Sequence, residues 1–147
     1  MAFVRAFGLH QADRTPCGQP VSVSEAYALA ELAREGGLTS SDLVTRLRLE
    51  KSTVSRLVAQ LAGRGWLERR PHPRDGRALA LYLTPEGSRV ASQIALARRR
   101  KFEGLVAALP EAERPSVIQA LSSLMTAANR TTLDDAPKRE TSHATLR

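Results

Sequence analysis

Apolar residues recur at helical spacing along most of the chain and alternate at strand spacing in one place. Ala2–Gln11 carries Phe3, Val4, Phe7 and Leu9, which suits a short N-terminal helix. A loop, ADRTPCGQP, follows at 12–20. Ser22-x-x-Glu25 is a capping box, and Ala26, Leu29, Ala30, Leu32 and Ala33 form a helical stripe ended by Gly36-Gly37. Thr39 or Ser40 caps a short helix, Ser41–Leu47, with Asp42 near its positive end. After a break at Arg48–Glu50, Val54, Leu57, Val58 and Leu61 predict a helix over Lys51–Gly63 with one face in the core.

The period then changes. Trp66–Arg70 and Arg77–Leu83 read as strands, with Leu79, Leu81 and Leu83 alternating against Ala80 and Tyr82. PHPRDG between them is a turn, so the two form a hairpin with a basic tip. Thr84-Pro85-Glu86 starts a helix that runs to about Leu109, where Pro110 stops it. A last stripe, Val117, Ala120, Leu121, Leu124, Met125 and Ala128, predicts a helix over Glu111–Asn129. Residues 130–147 lack periodicity and read as a disordered tail. The fold class is mainly α with a small β-hairpin. It divides into 1–21 (N-terminal helix and loop), 22–84 (helices and hairpin), 85–129 (two long helices) and the tail.

Charge changes this picture by its placement. The chain has 147 residues and a formal net charge of +7, from 22 Lys+Arg against 15 Asp+Glu. Nineteen of the cations are Arg, whose planar fork matches phosphates and guanine edges. Residues 46–77 hold nine cations and three anions, which is +6 of the +7. That excess overlies the short helix, the polar-faced helix and the hairpin, the order of a winged helix-turn-helix. In such a unit the second helix enters the major groove and the hairpin follows the backbone or the minor groove. A polyanion is the implied partner. Aromatics at 4% argue against a stacking platform for single strands. No apolar run is long enough to span a membrane, and the start lacks a signal-peptide core. A single cysteine, Cys17, fits a reducing cytoplasm.

Four stretches together resemble the MarR (multiple antibiotic resistance regulator) family of bacterial transcription factors. They are LTSSDLVTRLRLEKSTVSRLVAQLAGRGWLERR, the wing PHPRDGRALALYLT, the helix start LTPEG and the late LPEAER. The resemblance covers about residues 20–128. It implies a homodimer joined through its terminal helices, bound to a pseudo-palindromic operator in double-stranded DNA at the nucleoid. A repressor is the usual role in such a family. Family members usually begin with a longer first helix than Ala2–Gln11. On matching positions, Lys51, Ser52 and Arg56 would read base edges, Ser55 would meet phosphate, and Thr53 and Gln60 share the recognition helix. In the wing, Arg70, His72, Arg74 and Arg77 would approach the backbone or minor groove. Asp75-x-Arg77 matches the family's Asp-x-Arg. Asp75 would orient a neighbouring arginine, or form an Asx turn before Gly76. Thr39 and Ser40, at a helix N-terminus, would hold a phosphate.

Other chemistry is thin. The resemblance implies a small-molecule or oxidant effector. Tyr27 and Trp66 are candidates to line its pocket, with core packing as the alternative. Cys17 is the one redox-sensor candidate, with Arg14 nearby to favour the thiolate. His10, His72 and His143 are scattered, so no metal site and no cofactor are expected. No phosphate-cradling glycine loop or nucleophile elbow points to an enzyme. Arg98–Lys101 reads as a solvated strip. The rival to a sequence-specific regulator is a winged helix used for sequence-blind DNA coating or for protein contact.

Overall fold

The structure is a computed structural model and describes residues 14–134. The expected N-terminal helix, and the tail beyond Asp134, lie outside the described residues. By its internal contacts the chain falls into two units, 1–103 and 104–147, and the division lies inside a helix.

In the first unit, α1 spans Val23–Arg34 and starts on the expected capping box. The Ser22 hydroxyl accepts from the Glu25 amide at 3.2 Å, and the Glu25 carboxylate accepts from the Ser22 amide at 2.8 Å. The helix ends before the two glycines; Gly37 takes φ 82°, closing the turn behind it. α2 spans Ser40–Leu47, one residue longer than expected, with Thr39 rather than Ser40 as its cap. α3 spans Lys51–Gly63, as the spacing predicts, and Val54, Leu57, Val58 and Leu61 are all buried. Burying four aliphatic side chains contributes about 1.5–3 kcal/mol each. That fixes the rotation of α3 about its axis.

The hairpin is β1, Leu67–His72, against β2, Asp75–Leu83. It pairs antiparallel from Leu67 with Leu83 to Pro71 with Leu79, then shifts register so that His72 meets Asp75. The turn therefore narrows from the expected six residues to Pro73-Arg74. Proline at 71 lacks the amide a regular ladder needs, and the irregularity falls there. Trp66 precedes the strand. The expected alternation also breaks: Ala80 is buried with Leu81, while Leu79 is 54% exposed. Only the Leu67–Leu83 end of the hairpin lies on the core, so a strand position nearer the tip has nothing to bury against. One pairing was not expected. The Leu81 amide donates to Leu38 at 2.8 Å, and the Gly37 amide donates to Leu81 at 2.9 Å. The α1–α2 turn thus forms a bridge to β2.

α4 spans Pro85–Ala107 and ends two residues short of the expected Leu109. The Thr84 hydroxyl accepts from the Gly87 amide at 3.0 Å and donates to the Gly65 carbonyl at 2.7 Å. Gly87 is obligatory here. A Cβ at that position would lie 1.9 Å from the Trp66 carbonyl oxygen. Ala91 and Ile94 carry the early part of α4 into the same core as Leu29, Leu43, Val58, Leu61 and Leu81.

In the second unit, a 3-10 turn at Glu111–Glu113 leads into α5, Arg114–Asp134. The Arg114 guanidinium donates to the carbonyls of Leu109 and Ala107, both at 3.1 Å, satisfying groups freed at the end of α4. α5 continues past the expected Asn129 into the segment read as disordered, because no glycine or proline intervenes between Pro115 and Pro137. No described helix is long and apolar enough to cross a membrane.

Candidate nucleic-acid interface

With the α3 core face fixed, its opposite face is set. Lys51, Ser52, Ser55, Arg56 and Gln60 are exposed, and Thr53 is half-buried. Short hydroxyls between cations leave a low surface that can approach a groove closely. In the wing, Arg70, Arg74, Asp75 and Arg77 are exposed and His72 is half-buried. The His72 Nδ1 accepts from the Arg74 amide at 3.3 Å. Asp75 takes the Asx-turn form: its carboxylate accepts from the Arg77 amide at 3.0 Å. Among the described residues it orients no guanidinium.

The basic segment divides by what its charges already face. Arg46 bonds Glu31 at 3.3 Å and also Glu35, tying α2 to α1. Arg64 lies 3.4 Å from the buried Glu25 carboxylate and 4.9 Å above the Trp66 ring. Arg70 pairs with Glu68 and stacks 5.0 Å over Tyr82. These three charges thus have partners within the fold, and Arg70 remains exposed on the wing. Arg48, Lys51, Arg56, Arg69, Arg74 and Arg77 are exposed and make no ion pair among the described residues. Arg48 and Arg69 were not singled out by motif reading; the signal that separates the two groups is spatial.

At the N-terminus of α2, Thr39 is already engaged. Its amide donates to Asp42 at 2.7 Å, its hydroxyl donates to the same carboxylate at 2.8 Å, and the Asp42 amide donates back to that hydroxyl at 3.1 Å. These hydrogen bonds hold the Asp42 carboxyl below its ordinary range. A carboxylate thus lies where a phosphate was expected, and Ser40 beside it is exposed.

A separate cavity of about 120 Å³ opens between the Thr15–Cys17 loop, α1 and α4. Tyr27, Cys17, Ile94 and Phe102 line it, with Arg98 and Lys101. The Cys17 sulfur lies 3.1 Å from the Thr15 hydroxyl. Trp66 does not share this cavity; it packs against the core at the wing base. Arg98 and Lys101 border the cavity and so are not a purely solvated strip. Their spacing with Ile94 and Phe102 along one helix face was the available signal. Among the described residues, no group of three or more His, Cys, Asp or Glu could hold a metal ion.

A buried-backed polar helix, preceded by a capped short helix and closed by a two-stranded hairpin, defines a winged helix-turn-helix protein. The MarR family model matches residues 19–78. An HTH-type transcriptional regulator of Mycobacterium bovis, Mb0904, is 33% identical over 108 residues, 74% of this chain and 75% of that one. The crystal structure of Rv1404 from Mycobacterium tuberculosis superposes with a TM-score of 0.65 at 29% identity, covering 74% of each chain. FabT of Streptococcus pneumoniae, solved in complex with DNA, shares the fold with a TM-score of 0.73 at 18% identity, over 88% of this chain and 92% of that one. The chain belongs to the MarR family. It is a helix-turn-helix transcriptional regulator and not an enzyme.

Proposed function

We propose that this regulator binds a pseudo-palindromic operator as a homodimer and represses transcription from it, in the cytoplasm at the nucleoid. One observation carries the reading. The buried face of α3 turns Lys51, Ser52, Ser55, Arg56 and Gln60 outward, beside four further cations, Arg48, Arg69, Arg74 and Arg77, that make no ion pair among the described residues. The major groove admits a helix of this kind. In this reading Lys51, Ser52 and Arg56 meet base edges, Ser55 meets phosphate with Ser40, and Thr53 and Gln60 share the recognition helix. Arg74 and Arg77 reach the minor groove beside His72. Residues 22–84 form the DNA side and 85–129 the dimerisation side. The apolar residues exposed on α5 (Ile118, Leu121, Leu124 and Met125) support self-association. Two recognition helices would then read half-sites about 10 base pairs apart. That FabT was solved with DNA supports the same reading.

The cavity supports release by an effector. Its apolar wall with Arg98 and Lys101 suits a small amphiphilic anion, and Cys17 at its edge offers an oxidant route. A peroxide response that survives Cys17→Ser excludes the oxidant route. Gel shifts with the DNA upstream of the protein's own gene test the main reading. Specific binding is the expected result. Equal affinity for scrambled duplex favours sequence-blind coating instead.

A further inference from the structure

We propose that Arg48 is a phosphate-contacting residue of the helix-turn-helix, presented by the left-handed turn between α2 and α3. The proposal rests on the DNA-binding reading and adds to it a residue that the motifs do not mark. Arg48 caps α2 with φ 53° and ψ 44°. It is the one non-glycine residue with positive φ among the described residues; Gly18, Gly37 and Gly65 hold the others. A side chain in that region carries a steric cost that glycine escapes.

The turn itself does not call for arginine. Its amide bonds are backbone to backbone: Arg48 donates to the Val44 carbonyl, and Leu49 reaches the same carbonyl at 3.4 Å. Glycine or asparagine would make the same bonds with less strain. What arginine adds is an exposed guanidinium with no hydrogen bond or ion pair from its side chain among the described residues. Arg46, two positions earlier, is bound by Glu31 and Glu35. None of the described residues compensates Arg48, which leaves its guanidinium for a bound partner. Its position, three residues before Lys51 at the start of α3, places it at the end of that helix whose outward face carries the unpaired charge. A phosphodiester oxygen is the matching chemistry, and it takes the guanidinium without regard to base.

The test uses the full chain with two probes, a mixed-sequence duplex and the DNA upstream of its own gene. Arg48→Gly and Arg48→Asn should weaken binding to both by a similar factor, about three- to tenfold at low salt. Each should lower the slope of log affinity against log salt by about 0.9. Arg48→Lys should keep the slope. The thermal midpoints of the glycine and asparagine variants should equal or exceed the wild type's, since the turn is relieved. A wild-type slope in Arg48→Gly overturns the assignment. So does a loss confined to the upstream DNA, or a loss that tracks a lower thermal midpoint. Wild-type protein that binds neither duplex overturns the DNA reading, and this residue's role with it.

Discussion

In α3, Val54, Leu57, Val58 and Leu61 fall at helical spacing and none is more than 4% exposed. In α5, Ile118, Leu121, Leu124 and Met125 follow comparable spacing and stand between 47% and 67% exposed. Periodicity says which face of a helix seeks cover. It does not say what supplies the cover. For α3 it is α1, α2 and the wing base; for α5, in our reading, it is a second copy of the chain.

The contrast can be broken by substitution. Leu61→Ala should lower unfolding free energy by about 2–5 kcal/mol in denaturant titration, because a fully buried side chain leaves a cavity. An effect below that range would place α3 outside the core. Leu121→Asp should leave the secondary structure intact and weaken self-association by about 2 kcal/mol, read by sedimentation. An unchanged mass would remove α5 from the dimer interface. On the outward side of α3, Arg56→Ala should cost about 1–3 kcal/mol in operator affinity and relax one base position. Stability should change by no more than about 0.5 kcal/mol. The smallest effect concerns the α2 cap. Thr39→Ala should cost about 1 kcal/mol of stability in thermal melts. The hydrogen bonds from Thr39 lower the Asp42 carboxyl, so their contribution is complete above the ordinary aspartate range. It is lost as pH falls through the lowered value, and Asp42→Asn should flatten that acid limb.

Much of the fold was legible because its signals are local. The α3 limits, the Ser22–Glu25 box and the Thr84 cap each depend on residues within a few positions of one another. The Leu38–Leu81 bridge was not legible, because nothing near either leucine announces a partner so far along the chain. Gly87 stood in a quoted motif, yet its reason, the Trp66 carbonyl, appears only in three dimensions. The candidate interface shows the same limit. Charge counting found the basic segment, but Arg46 and Arg64 answer acids on α1, and sequence order cannot sort them from Arg56 or Arg77. Tyr27 and Trp66 were paired as aromatics; one borders the cavity and the other closes the wing base.

The bridge from the α1–α2 turn to β2 has a kinetic consequence. The amides of Gly37 and Leu81 are each held across it. Their protons can exchange with solvent only when the hairpin base parts from the helix pair, an opening that also uncovers Leu81 and Leu38. The Arg77 amide, held by the carboxylate two residues away at the exposed tip, should exchange sooner. Hydrogen exchange should therefore divide the wing in two: a base whose amides open only together with the helices, and a tip whose amides exchange independently of them.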